Sequence, residues 1–528
     1  MKVQRESWGS KMGVILAVAG SAVGLGNFLR FPVKAATYGG GAFLIPYFIS
    51  FLLLGIPLAW MEWTLGRYGG RYSHGSAPGI LNAVVKKRWA KYVGSIGIFA
   101  PLVVFFYYTF IESWLLGFAW YSLTGELMNA VRNDSISTFF GDYIMLRTSI
   151  FANIPAALFF YAVTFVLNFS VISLGIRKGI ESVNRVVMPF IFVLGTILLI
   201  RVLSLPGIEK GLGFMWNPDF TRLADPRVWL EASGQMFFTL SLGLGAILTY
   251  ASYVKKNQDV ALSSLSACAA NEFTEVILGG TIVIPMAIVI FGASNIEQIA
   301  KMGTFGLGFN TMPVIFGHMP LSSLFQFIWF SLLFFAGLTS SISIIQPTIS
   351  FFEDELGCRR RGSVAIAGTT SLVMGLLAVF GLAAGVVDEM DFWGSTFLIV
   401  LFGTVEAVIF SWIFGTDRGW KELQEGAQFK IPVVFKYIMK FVTPTYLILI
   451  LVAWLFTDGW NMITMANVSH EEVVDFMGWK GSKIHFVMFL RAVLVLLLIG
   501  LNMVIFFAWK NRKLDLKLVE EQREAAYK

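Results

Sequence analysis

Charge is scarce in this chain. Asp, Glu, Lys and Arg together supply 14% of its 528 residues, while hydrophobic residues supply 56%; soluble globular chains carry roughly a quarter charged residues. With a mean hydropathy of +0.71, a soluble fold is excluded and a membrane protein is what remains. Cysteine is scarcer still: Cys268 and Cys358 are the whole complement, which excludes a disulfide framework. The 4 histidines are scattered and supply no zinc-type ligand cluster. No low-complexity tract interrupts the sequence and no long polar stretch delimits a soluble region, so residues 1–528 read as one transmembrane domain.

What the chain has in quantity is apolar sequence in lengths that cross a bilayer. Runs near 12–36, 41–65, 93–121, 150–172, 186–204, 232–251, 261–292, 321–350, 364–386, 393–413, 433–456 and 485–509 give about twelve helices of the ~20 residues that a hydrocarbon core demands. Several are longer, so tilt is expected. Basic residues gather before the first span and after the even-numbered ones, as in Lys2 and Lys11, Lys86 to Arg88, Arg177 and Lys178, Lys255 and Lys256, Arg359 to Arg361, Arg418 and Lys421, and Lys510 and Arg512. By the positive-inside rule that side is cytoplasmic and both termini lie inside. The net charge of +7 then reflects topology and points to the lipid bilayer, with no nucleic-acid partner.

Ala17-Val18-Ala19 imitates a signal-peptide cleavage site, but the apolar run continues past it and further spans follow. Asn133-Asp134-Ser135 and Asn467-Val468-Ser469 match the glycosylation pattern, which matters only in a secretory cell. The short stretch before the first span points instead to the inner (plasma) membrane of a prokaryote. The outside segment 293–320 reads as short helical turns able to form a lid.

Two spans are interrupted near their middle, at Gly20-Ser21-Ala22-Val23-Gly24-Leu25-Gly26 and at Phe238-Thr239-Leu240-Ser241-Leu242-Gly243-Leu244-Gly245. Inside hydrocarbon an unpartnered backbone N–H or C=O is costly, so a break persists only where the freed groups line a cavity or bind something. Gly20 and Gly24 also form a small-xxx-small packing motif. Breaks at corresponding points of the chain are the mark of a repeat-built transporter. A broken helix presents carbonyls on one stub and N–H groups on the next, so one site can hold both ends of a zwitterion. The run Thr339-Ser340-Ser341 either back-bonds to its own helix or faces the breaks. Glu62, Glu112, Glu272 and Glu406 lie within spans and read as structural.

Further motifs carry a resemblance: Arg5-Glu6-Ser7-Trp8, Gly26-Asn27-Phe28-Leu29-Arg30-Phe31-Pro32, Tyr107-Tyr108, Gln235-Met236-Phe237-Phe238-Thr239-Leu240-Ser241, Asn271-Glu272, Ala336-Gly337-Leu338-Thr339-Ser340-Ser341 and Asp388-Glu389-Met390-Asp391. With the first break, they make the chain resemble the neurotransmitter:sodium symporter family over nearly its whole length, and within it the bacterial leucine-transporting members. The resemblance implies an all-α integral membrane fold with a five-helix inverted repeat (about 11–204 and 230–413), broken helices 1 and 6, and two peripheral helices (about 433–509).

It also implies a site. The substrate carboxylate would rest on the N–H groups of Leu25 and Gly26 and the Tyr108 hydroxyl, and the ammonium on carbonyls of Ala22, Phe238 and Thr239 with Ser241. The side chain would lie among Val104, Tyr108, Phe238, Ser241, Leu244, Ser340 and Ile344. Gly24 stands where amine-transporting relatives have aspartate, so the substrate brings its own carboxylate. One sodium ion would be held by Ala22, Asn27, Thr239 and Asn271, a second by Gly20, Val23, Ala336, Thr339 and Ser340. Arg30 and Asp391 match the outer gate; Arg5, Trp8, Ser252, Tyr253 and Asp354 match the inner one. Glu275, one turn beyond Asn271, replaces a bound chloride, and Tyr47 and Gln235 would line the same place. Lys34 stands where the leucine transporters have glutamine, and Leu244 where they have phenylalanine. The function expected is sodium-coupled import of neutral hydrophobic amino acids, leucine-like or aromatic, by alternating access without chloride. No enzymatic activity is expected, and a homodimer is left open. An ion channel and a non-transporting amino-acid sensor are the rival readings; a channel needs one gate rather than two opposed ones.

Overall fold

In the computed structural model, residues 6–151, 153–466, 468, 472–476, 479–512 and 514 are described; Arg5, Asn467 and Ser469 fall outside them. Ten helices among the described residues are long and apolar enough to cross a membrane. They correspond to spans 2 to 5 (Gly41–Gly70, Ala90–Thr124, Ala156–Ser173, Ile176–Leu203) and 7 to 12 (Val260–Phe291, Ser322–Asp354, Arg360–Phe380, Val386–Gln424, Val434–Thr457, Lys483–Arg512). The other two spans are the broken ones. Lys11–Ala22 and Gly26–Thr37 meet at 48°. The sixth span is split into Pro226–Thr239 and Ala246–Ser252, neither long enough to cross alone.

Helix starts follow local chemistry. The Ser10 hydroxyl caps the first helix through Gly13 N, Asp225 caps Pro226–Thr239 and Asp259 caps Val260–Glu272, each satisfying an N–H that the helix leaves unpaired. Prolines sit inside the spans at Pro46, Pro101, Pro189 and Pro285. Spans buried among neighbours tolerate the lost hydrogen bond.

Spans 8 and 3 form the centre: their most apolar stretches are buried over 94% and 89% of their residues, against 22% for spans 11 and 12. The last two therefore present most of their surface to lipid. Outside the spans, the 293–320 segment folds as the expected short turns, Ile296–Lys301 and Met312–Gly317 joined through Gly306–Thr311. Two short hairpins, Ser149–Ile150 with Ile154–Pro155 and Val473–Phe476 with Trp479–Ser482, add strands that the hydropathy pattern does not announce.

Candidate substrate and ion site

The two breaks face one another at the centre of the bundle. After Ala22, Val23 leaves the helix (φ −72°, ψ 102°) and the chain re-enters it near Gly26. Gly24 N donates to Asn27 Oδ1 at 2.8 Å, so a buried side chain satisfies a freed N–H. Two glycines keep this wall tight: a Cβ on Gly24 would stand 2.8 Å from Ser340 Oγ and 3.3 Å from the Tyr108 oxygen, and a Cβ on Gly26 would stand 2.5 Å from the Phe238 ring, so either would force its neighbours to move. In the sixth span, Ser241 (φ 54°), Gly243 (φ 73°) and Gly245 (φ 69°) adopt left-handed backbone, which ends the helix. Gly243 N donates to the buried Glu62 carboxylate at 2.7 Å. Ser241 Oγ donates to Ser21 O at 2.9 Å and ties one break to the other.

Between them lies a cavity lined by every residue expected to bind substrate: Ala22, Gly24, Leu25, Gly26, Val104, Tyr108, Phe238, Thr239, Ser241, Leu244, Ser340 and Ile344. Ser21, Asn27, Tyr107, Ser395 and Ile399 complete the wall. Ser395 and Ile399 come from span 10; no motif in the sequence points to them. The lining carries no charged side chain, so a charged substrate group other than a zwitterion's own would be buried unpaired.

Two clusters of oxygens flank this cavity. In the first, Asn27 Nδ2 lies 3.2 Å from Thr239 Oγ1 and 2.8 Å from Asn271 Oδ1, and the Asn271 amide reaches Ala22 O at 3.1 Å and Thr239 O at 3.3 Å. With its nitrogen inward, that amide donates to both carbonyls; with its oxygen inward, the oxygens converge with no proton between them, an arrangement that a hard cation offsets. In the second, Ser340 Oγ lies 3.4 Å from Gly20 O, 3.2 Å from Ser21 O and 3.3 Å from Val23 O. One hydroxyl proton cannot serve three carbonyls, so surplus acceptors point inward. Thr339 back-bonds to Ala336 O at 3.1 Å while Ser340 reaches across to the first span; the serine-threonine run does both things its sequence allowed. Both clusters fit a monovalent, oxygen-seeking ion.

Beside the first cluster, the fully buried Glu275 accepts from Tyr47 (2.8 Å), Gln235 and Thr239. Asn271 joins through Thr239 Oγ1 at 2.9 Å. The residues expected around this carboxylate are thus gathered there, and Thr239 links it to the proposed ion ligands. Glu112 lies in a separate network in which Asn168 Nδ2 donates to both its oxygens at 3.2 Å and Ser341 donates to Asn168 Oδ1 at 2.6 Å.

The two ends of the site differ. At the end bearing the basic loops, the expected inner end, the Trp8 indole donates to Tyr250 O at 2.9 Å and packs edge-on to its ring. Below them Tyr253 and Ser350 share a 2.7 Å hydrogen bond, Ser252 bonds to Thr249 O, and Arg512 holds Asp354 O at 2.6 Å. At the outer end, Arg30 and Asp391 form no ion pair. The Arg30 guanidinium lies over the Phe238 ring, 4.1 Å from its centre, and Asp391 is taken by the Tyr107 and Ser395 hydroxyls. Phe238, Ser395 and Ile399 lie between the cavity and a vestibule of about 300 Å³ that Arg30, Lys34, Glu231, Trp454 and Met462 help to line. The extra charge of Lys34 is answered there by Glu231 at 2.6 Å. Tyr38 also bonds to Glu231, and burial together with that carboxylate pushes its phenol up to about 12, so it remains a donor.

Ten helices long enough to cross a bilayer, with two broken spans around a buried cavity flanked by oxygen clusters, define a multi-pass membrane transport protein. The profile of the Sodium:neurotransmitter symporter family matches residues 5–139 and 128–508, and the chain belongs to that family: it is a sodium-dependent symporter, not an enzyme. It is 30% identical over 469 residues to an uncharacterized sodium-dependent transporter of Methanocaldococcus jannaschii, covering 88% of this chain and 92% of that one. The sodium-dependent transporter YhdH of Bacillus subtilis is 32% identical over 403 residues (76% and 84% covered). Among solved structures, that of MhsT in complex with L-phenylalanine aligns with a TM-score of 0.73 at 29% identity, covering 85% of this chain and 99% of MhsT.

Proposed function

We propose that the protein carries neutral hydrophobic amino acids inward across the plasma membrane together with sodium, by alternating access and without a chloride requirement. The observation that carries this reading is the cavity between the breaks, which brings Leu25, Gly26 and Tyr108 together with Phe238, Thr239 and Ser241 of the broken sixth span and with the apolar Val104, Leu244 and Ile344; in this reading the N–H groups of Leu25 and Gly26 and the Tyr108 hydroxyl form one pole and carbonyls of the sixth span the other. The first suit a carboxylate and the second an ammonium. That the related MhsT was crystallised with L-phenylalanine supports the same substrate class. Sodium is expected at two sites: Ala22, Asn27, Thr239 and Asn271 beside the substrate carboxylate, and Gly20, Val23, Ala336, Thr339 and Ser340 below it.

A carboxylate shared between substrate and first sodium makes each bind better in the presence of the other. Glu275, hydrogen-bonded to Thr239, supplies the negative charge next to the first ion and takes the place of an external anion. Spans 1–5 and 6–10 act as inverted repeats, with the inner end cytoplasmic. Arg30, Phe238 and Asp391 bar the way on one side, and Trp8, Ser252, Tyr253 and Asp354 on the other; opening them in turn moves the cargo. The test is uptake of radiolabelled leucine and phenylalanine into proteoliposomes. Accumulation that requires an inward sodium gradient and survives replacement of chloride by gluconate is expected, whereas uptake of equal size without the gradient would overturn the coupling.

A further inference from the structure

Span 5 contributes no residue to either oxygen cluster in the reading above, yet one of its side chains points at the second. Asn184, fully buried in the Ser182–Leu203 segment, donates through Nδ2 to Ile180 O at 2.9 Å, while its Oδ1 has no hydrogen-bond partner. That oxygen is aimed at the first break: a Cβ added to Gly20 would collide with it and would lie 3.1 Å from Thr339 Cβ. Asn184 Oδ1 and Thr339 therefore flank the same bare face of Gly20, whose carbonyl is one of the acceptors crowding Ser340. A buried amide oxygen left unpaired is costly, and in an apolar helix such a group persists where it meets a ligand. An amide oxygen is a neutral, hard donor, suited to an alkali cation.

We infer that Asn184 is a sodium-binding side chain of the second cation site, contributed by span 5 when that span is packed against the first break. This rests on the reading of Gly20, Val23, Ala336, Thr339 and Ser340 as a sodium site. Glycine at position 20 is what lets the oxygen approach, and the amide is held in orientation by its bond to Ile180. Motion of span 5 away from span 1 would withdraw one oxygen from the ion.

The test uses purified full-length protein with Asn184→Ala, Asn184→Asp and Thr339→Ala. Two quantities are read: the sodium concentration giving half-maximal leucine binding, and the sodium dependence of thermal unfolding without substrate. Asn184→Ala should raise the half-maximal sodium concentration about 5- to 10-fold and flatten the sodium-dependent gain in melting temperature, with leucine affinity at saturating sodium unchanged. Asn184→Asp, which keeps an oxygen, should retain sodium dependence. An Asn184→Ala protein with wild-type sodium dependence, beside a Thr339→Ala protein that loses it, overturns the assignment of Asn184 alone. Wild-type behaviour in both overturns the second sodium site itself. Should Asn184→Ala not fold, Asn184→Leu, of similar size but with no oxygen, gives the same readouts, and an unshifted sodium titration there also contradicts the inference.

Discussion

The inner and outer ends of the binding cavity are closed by very different amounts of protein. Toward the inner end the path is sealed in layers: Trp8 on Tyr250, then Tyr253 on Ser350, with Glu181 receiving Gly9 N and the Ser10 hydroxyl beside them. Toward the outer end a thin layer, Phe238 with Arg30 laid across it and Ser395 and Ile399 beside it, lies between the cavity and the vestibule. The thick barrier is made of hydrogen bonds and buried aromatics from the N-terminal segment and from spans 5, 6 and 8. The thin one is made of an aromatic face and a cation, a contact worth about 0.5–2 kcal/mol. If the proposed alternating access holds, exchange with the vestibule needs a small local movement, while opening the other end requires whole segments to part.

The sharpest way to break this arrangement is to fill the space beneath Phe238. Gly26→Ala would drive a methyl group into the Phe238 ring, and Gly24→Asp would place a carboxylate against Ser340 and Tyr108. Each should weaken leucine binding at least about 100-fold, roughly 2.7 kcal/mol, as measured by equilibrium binding of labelled leucine. Next in size is the first oxygen cluster: Asn27→Ala or Thr239→Ala should weaken sodium and leucine together, about 10-fold each, in paired titrations; loss of only one affinity would separate what the account joins.

Glu275→Ser should leave transport intact in chloride buffer but reduce it about 10-fold in gluconate, while wild type behaves alike in both. A strict chloride requirement of the wild type would refute the role given to Glu275. Leu244→Phe removes room at the apolar end of the cavity and should shift the aromatic-to-leucine preference toward leucine by about 1–3 kcal/mol in competition measurements; no shift would remove position 244 as the size filter. The smallest effect belongs to the vestibule. The Lys34–Glu231 pair is partly exposed, and Glu231→Gln should change substrate association by less than about 1 kcal/mol, with an effect that fades as ionic strength rises.

How much of this was legible beforehand depends on distance along the chain. Apolar lengths fix spans one at a time, so the membrane class and the ten helices long enough to cross are legible directly, and glycine in a local run marks both breaks. The cavity-lining residues Ser395 and Ile399 carry no local signal because they reach the site only through the packing of span 10. Lys34 was visible as an anomaly, but its partner lies 197 residues away. Arg491 and Glu389 likewise meet across 102 residues, joining span 12 to the outer half of span 10. Motif resemblance matches Arg30 and Asp391 to the outer gate without saying which partner each holds: here Tyr107 and Ser395 bond to the carboxylate and the flat guanidinium lies on the Phe238 face. Motifs report which groups are present, whereas the partner that each one takes is a property of the conformation.

The central claim is that sodium and a zwitterionic substrate share one site between the two breaks. A sodium titration of leucine binding to the purified protein tests it most directly. Affinity for leucine should rise steeply as sodium is added, with leucine raising sodium affinity by the same factor; leucine affinity that stays constant from sodium-free to saturating sodium would contradict it.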